Sequence, residues 1–461
     1  MSEEHRRETL GSRLGFLLLA AGSAIGLGNI WRFPFITGQN GGAVFVLIYL
    51  VFLLVLGFPV MVMELAVGRA GRRNLVGAYR DLPEGGRSRW HRPGTVIFSG
   101  NLILMSFYTT VTGWMMAYAY FYCVGTLSKL EGSAAVEAFF GNFLGSPGAM
   151  LLCMTVPTVL ATLLCIQGLR NGAERSTKWM MGLLFLLLLA LSVCACTLPG
   201  AADGLRFYLK PSLEPIRRLG WLEVTAAALG QAFFTLSLGI GSLTVFGSYT
   251  DRKHTLSQEA LYIIGLDTVV AIFAGVVIFP VCFSYGVNPG AGPGLVFVSL
   301  PNIFNNMEGG RWWGAAFFLF MSVAALTTVV AVFENIIALL IDEFGMVRCK
   351  AALLTGSVVA LASIPCALGF NLWGAFQPMG EGSNVLDLED FILSDNLLPL
   401  GGVLLIGFCC TRRGWGWKNF LAEANAGDGL RFPAKLEFYA RWILPLIILG
   451  LFFTGLFRRF C

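Results

Sequence analysis

The sequence predicts an all-α membrane protein of eleven transmembrane helices, built as a 5+5 inverted-repeat core in which helices 1 and 6 are broken. Three observations predict it. Of the 461 residues, 56% are hydrophobic and only 13% charged, against roughly 45–50% and about 25% in ordinary soluble domains. Apolar runs long enough to cross a hydrocarbon core of about 30 Å recur along nearly the whole chain. Two of those runs are interrupted by glycine in the same manner, five helices apart. This composition excludes a soluble enzyme. The formal charge of +5, from 32 basic and 27 acidic residues, is too small an excess for a nucleic-acid binder.

The polar residues 1–12 are expected to form a cytoplasmic N-terminal segment, and the apolar run after them has no small-residue cleavage site, which predicts a retained helix rather than a signal peptide. Spans are expected at approximately 13–37, 42–68, 95–125, 148–168 and 178–198, which make a first five-helix repeat over 13–198. Spans at 220–249, 258–285, 312–345, 350–370 and 386–411 make a second over 199–411, and residues 412–461 supply a cytoplasmic loop and an eleventh helix at 437–457. A cytoplasmic N-terminus places 23 Lys and Arg inside and 8 outside, with Arg32 in the first span, so the positive-inside bias favours it. Arg458 and Arg459 oppose that arrangement. The basic loop from Arg69 to Arg92 is read as cytoplasmic and in contact with lipid, and Asn288 to Arg311 as an outside loop packed over the spans. The 11 cysteines lie mostly within apolar runs, as with Cys165, Cys194, Cys282 and Cys409, and behave as small core residues rather than a disulfide framework. No obligate protein partner is evident.

The interruptions are Gly22-Ser23-Ala24-Ile25-Gly26-Leu27-Gly28-Asn29 and Ser237-Leu238-Gly239-Ile240-Gly241-Ser242. Glycine favours departures from helix, and amides freed inside a bilayer are tolerated only where they face a cavity or a ligand. Close packing through small residues is the alternative for either segment alone. Matched interruptions instead point to a binding site between two broken helices near the midplane, an arrangement already known for transporters. Neither glycine pair completes a dinucleotide-binding pattern or sits in a strand–turn–helix unit.

The run Gly22-Ser-Ala-Ile-Gly-Leu-Gly-Asn-Ile-Trp-Arg-Phe-Pro34 with Asn40-Gly-Gly42 resembles the first-helix signature of the neurotransmitter:sodium symporters, and Gln231-Ala-Phe-Phe-Thr-Leu-Ser-Leu-Gly239 resembles their sixth-helix signature. The helix pattern agrees from end to end, although members commonly have twelve spans. The resemblance implies a symporter of the bacterial amino-acid type that binds Na+, two ions in all. One ion would take the carbonyls of Gly22, Ile25 and Ala324 and the hydroxyls of Thr327 and Thr328. Read without the family, these two threonines have a second option, bonding back to the preceding helical turn. The other ion would take the Ala24 carbonyl, Asn29, Thr235 and Asp267. Many relatives carry Asn at this last position; here a carboxylate interrupts an otherwise uncharged run from Tyr262 to Ser284, and an intramembrane acid is by default functional. Chloride-dependent relatives carry Ser four residues later, where this chain has Ala271, so Asp267 is expected to supply the negative charge and make transport chloride-independent.

Amine-transporting relatives place Asp where this chain has Gly26, which leaves room for a substrate carboxylate against the amides of Leu27 and Gly28 in the broken helix. The resemblance therefore implies an α-amino acid, with Tyr108 donating to its carboxylate and the carbonyls of Ala24, Phe234 and Ser237 receiving its ammonium. Ser23 would lie near the backbone end, close to Thr235 and Thr328; Leu104, Ile240 and Val332 would line an apolar pocket suited to aliphatic or aromatic side chains. Outer gating is expected from Arg32 with Asp390, adjacent Glu389 being the other candidate, and inner gating from Arg7 with Asp342, beside Ser248 and Tyr249. Leu10 replaces the usual tryptophan of the inner latch.

An enzyme is disfavoured because His5, His91 and His254 all lie outside the spans and no intramembrane nucleophile–base pair is found. A channel-like protein or a sodium-dependent sensor of the same fold remains the alternative. The lean loops point to a prokaryotic inner membrane.

Overall fold

The computed structural model describes residues 8, 10–83, 89–290 and 294–460. Among them the regular secondary structure is helix, apart from one isolated bridge between His254 and Asp428. Nine helices are long and apolar enough to cross a membrane: Ala43–Gly71, His91–Val124, Pro147–Ile166, Leu169–Cys196, Leu256–Ser284, Gly310–Phe344, Arg348–Leu368, Val385–Cys410 and Ala434–Thr454. A tenth candidate is the bent pair Arg13–Ala24 and Gly28–Gln39, whose halves meet at 54°. Each lies close to an expected span. The expected eleven is not reached by length and composition, because the sixth segment is divided into Trp221–Thr235 and Ser242–Ser248, pieces of 15 and 7 residues. Neither is long enough to cross, since about 20 helical residues are needed. The ten cysteines among the described residues are all free.

The first helix starts where Ser12 accepts a hydrogen bond from the Gly15 amide at 3.0 Å, and it ends at Ala24 because Ile25 turns to extended backbone, with ψ of 102°. The chain then resumes through a wide π-helical turn over Gly28–Arg32. In the sixth segment, Ser237, Gly239 and Gly241 all have positive φ, at 49°, 98° and 81°. Such backbone is open to glycine and costly for a residue with a Cβ. The glycines also admit close neighbours: a Cβ at Gly239 would stand 2.4 Å from the Leu398 carbonyl oxygen.

Backbone groups released by these breaks find buried side chains. The Glu64 carboxylate of the second span accepts from the Gly239 amide at 3.2 Å, and Asn101 of the third span donates to the Ile240 carbonyl at 2.9 Å. Asn335 of the eighth span completes that cluster by donating to Asn101 and to Ser242. Gln231 donates to the Gly28 carbonyl at 3.0 Å, which joins one break directly to the other. All four side chains are buried. An unsatisfied polar group in this interior would cost about 1–3 kcal/mol, so these contacts fix where the chain is allowed to leave the helix.

The second span packs so tightly on Ser242–Ser248 that a Cβ at Gly68 would lie 1.8 Å from the Thr244 carbonyl oxygen. Gly68→Ala should therefore cost about 2 kcal/mol of stability. Thermal unfolding in detergent checks this, and an unchanged melting temperature would show that the two helices are not held at this distance.

Candidate functional site

The two breaks and the eighth span enclose a cavity of about 30 Å³. Ten of the expected ligand-contacting residues line it: Ser23, Ala24, Gly28, Leu104, Tyr108, Phe234, Thr235, Ser237, Ile240 and Thr328. Leu27 contributes its amide, which donates to the Tyr108 hydroxyl at 3.1 Å, and Thr328 is hydrogen-bonded to the same hydroxyl. Val332 is buried but does not line the cavity. Leu393 and Leu398 of the tenth segment do line it and were not anticipated. Nothing in the sequence separates them from the other leucines of an apolar span. Gly26 lines the cavity as well, and a Cβ there would lie 2.3 Å from the Tyr108 hydroxyl and 2.7 Å from Thr328 Oγ1. Glycine at 26 is what lets those two hydroxyls approach the break.

Asp267 is fully buried beside this cavity. Asn29 Nδ2 donates to its Oδ1 at 2.8 Å and to its backbone carbonyl at 3.2 Å, while Thr235 Oγ1 donates to Oδ2 at 3.3 Å. Asn29 also accepts from the Gly26 amide at 3.2 Å, so one amide side chain spans the first break and the seventh span. Every donor to the carboxylate is neutral, so its charge has no counter-ion among the described residues. The second group forms where the eighth span meets the first helix. Thr328 Oγ1 donates to the Gly22 carbonyl at 3.2 Å and the Ile25 carbonyl at 3.3 Å. Thr327 Oγ1 instead bonds back to the Ala324 carbonyl at 2.7 Å, the local alternative noted for such residues. Hydroxyl, amide and carbonyl oxygens with a single carboxylate suit a hard monovalent cation. Among the described residues no group of three or more His, Cys, Asp or Glu offers a transition-metal site.

The gate residues are arranged differently from expectation. Arg32 lies over the Phe234 ring, 4.0 Å from its centroid, and makes no ion pair with Asp390. Asp390 accepts from Ser394 at 2.6 Å one turn along its own helix, and Glu389 turns toward Ser106 and Cys366. A guanidinium on an aromatic face keeps a favourable contact without a carboxylate, which is why neither acid is needed to hold Arg32 in this conformation. On the opposite face, Arg7 lies outside the described residues. Asp342 accepts from the backbone amide of Asn74 at 2.7 Å and from its side chain at 3.1 Å. Tyr249 donates to buried Glu334 at 2.9 Å, Glu334 pairs with Arg348, and Arg348 also reaches Glu8 at 3.4 Å. Sequence reasoning missed Glu64 and Glu334, although an acid inside an apolar run is the same signal that picked out Asp267.

The sequence model of the Sodium:neurotransmitter symporter family matches residues 7–137 and 133–458. An uncharacterized sodium-dependent transporter of Haemophilus influenzae is 34% identical over 464 residues, covering 98% of this chain and 99% of that protein. Another of Bacillus subtilis is 33% identical, with 96% of each chain covered. The crystal structure of MhsT in complex with L-phenylalanine is similar with a TM-score of 0.85 and 38% identity, over 97% of this chain and 100% of that one.

The two threonines provide a contrast. Thr328→Val keeps the side-chain shape but strips the donor from two carbonyls at the end of a broken helix, and should cost about 2 kcal/mol. Thr327→Val removes a bond to a carbonyl within a continuous helix and should cost well under half as much. Melting curves in sodium-free detergent compare them; equal losses would contradict the cross-helix role of Thr328.

Proposed function

The chain belongs to the sodium:neurotransmitter symporter family, an integral membrane transporter and not an enzyme, and from that premise we propose that it takes up neutral, hydrophobic L-amino acids together with sodium by alternating access. The observation that carries this reading is the cavity at the junction of the two breaks. Its backbone end presents the Tyr108 hydroxyl, and its apolar wall is formed by Leu104, Phe234, Ile240, Leu393 and Leu398. Its polar end suits a substrate carboxylate and its apolar wall an aliphatic or aromatic side chain, for which the cavity, about 30 Å³ in this conformation, has to widen. MhsT, a structural relative, is in complex with L-phenylalanine, which supports the same substrate class here.

Two sodium ions accompany the substrate in this proposal. One is held by Asp267, Asn29, Thr235 and the Ala24 carbonyl, the other by Thr327, Thr328 and the carbonyls of Gly22, Ile25 and Ala324. A bound cation supplies the countercharge that the buried Asp267 carboxylate lacks, which favours coupling: ion and carboxylate each lower the cost of burying the other. Because the protein carries its own anion at that place and Ala271 offers no hydroxyl, transport is chloride-independent. Helices of the two interleaved repeats, 13–198 and 199–411, rearrange around this site to open it to one face and then the other. Arg32 leaves Phe234 for Asp390 when the outer side closes, and Arg7 reaches Asp342 when the inner side closes. The orientation that fits the charge distribution has a cytoplasmic N-terminus in a prokaryotic inner membrane.

Reconstituted vesicles test the proposal. An inward sodium gradient should drive concentrative, saturable uptake of L-phenylalanine or L-leucine, and replacing chloride by gluconate should leave the rate unchanged. Binding without uptake would identify a sensor, and non-saturable flux a channel. In the same vesicles Tyr108→Phe should weaken the amino acid by about tenfold, the loss of roughly one hydrogen bond to a charged group, with much less effect on sodium. Equal loss of both would indicate a folding defect.

A further inference from the structure

Four of the eight basic residues assigned to the outside, Arg206, Lys210, Arg217 and Arg218, fall in one short stretch, where topology gives them no reason to be. The structure gathers three of them around a recess of about 1010 Å³ at the membrane face where the first and seventh spans end. The recess has firm walls. The helix Ala201–Leu209 is pinned to the seventh span by Tyr208, which donates to the Ile272 carbonyl at 3.1 Å, and by the Gly200 amide, which donates to Ser284 at 3.0 Å. Phe207 packs against Phe279 and Phe283, with ring centroids 5.4 Å apart in each case. Arg206, Lys210 and Arg218 form no ion pair among the described residues, and the acids Asp203 and Glu214 share the lining with them. Next to it the chain exposes large apolar side chains at the head of the sixth segment: Trp221 is 62% and Leu222 78% exposed. Exposed aromatic and aliphatic groups at the end of a span belong at the lipid interface.

We propose that this recess is a phospholipid headgroup site, in which Arg206, Lys210 and Arg218 hold the phosphate, Asp203 and Glu214 take the ammonium of an ethanolamine headgroup, and the acyl chains run down past Trp221 and Leu222. The two signs of charge on one wall match the two charges of that headgroup, and the apolar flank matches its tails. A free anion would use only the first of these three features. Lipid held here lies against the end of the first span and the start of the sixth, the two broken segments, so its occupancy is felt by the helices that carry the central cavity.

The full chain, purified in mild detergent, tests this by phospholipid retention in native mass spectrometry and by the melting-temperature shift on adding phosphatidylethanolamine. Wild type should retain the lipid and melt higher with it. Arg206→Glu combined with Arg218→Glu should lower retention by at least about fivefold, the equivalent of losing roughly 1 kcal/mol of contact to the phosphate, and Lys129→Glu, outside the recess, should behave as wild type. If the double variant melts early without lipid, Lys210→Gln alone should still reduce retention. Equal retention by wild type and these variants, equal retention of phosphatidylglycerol, or a shift reproduced by inorganic phosphate would each overturn the assignment.

Discussion

A peptide group released from its helix inside hydrocarbon has no water to turn to, so it must find a partner in the protein or face a cavity that supplies one. That constraint organises the rest of this structure. The first and sixth segments each break near mid-membrane, and the second, third and eighth spans each send a buried polar side chain to the freed backbone: Glu64, Asn101 and Thr328. Gln231 and Asn29 then tie the breaks to each other and to the seventh span. What remains unfilled between the breaks is the cavity. Its walls are polar where backbone is exposed and apolar elsewhere, a division that follows from the breaks themselves.

The same interior sets the electrostatics. Asp267 is surrounded by neutral donors, and a carboxylate in such a place is stabilised far better by a cation than by hydrogen bonds alone. Toward the opposite face from Arg32, by contrast, buried Glu334 already has Arg348 beside it and Tyr249 bonded to it. Two buried acids in one membrane domain thus have different roles to play, one with its countercharge built into the chain and one without. Arg32 itself rests on Phe234, a wall of the cavity, so the conformation of this arginine and the shape of the pocket are mechanically linked.

Much of this is legible in the sequence, for a physical reason. In a chain this apolar, each polar or glycine residue within a span is an expense that needs a use, and Asn29, Thr235, Asp267 and Thr328 stand out against their apolar neighbours along the chain. Span positions are legible from continuous hydrophobicity, but the count of eleven is not secured, because the broken sixth segment yields two helices too short to be recognised as a span. Leu393 and Leu398 are illegible: a leucine that faces a pocket and one that faces lipid are the same residue until the tenth segment is placed in space. The gate pair is legible as residues but not as a contact, since Arg32 has an aromatic partner and Asp390 a serine on its own helix. Gly26 reads as empty room in the sequence and does line the cavity, but its nearness to two hydroxyls shows only once the third and eighth spans are in place.

The central claim is that ion and amino acid share one site built from two broken helices, so each must change the other's affinity. Equilibrium binding of L-phenylalanine to the purified protein, titrated with sodium at constant ionic strength against potassium, measures this directly. The amino acid should bind more tightly as sodium rises, and sodium should bind more tightly by the same factor when the amino acid is present, as linkage between two ligands requires. Amino-acid affinity that is identical in sodium and potassium would contradict the account.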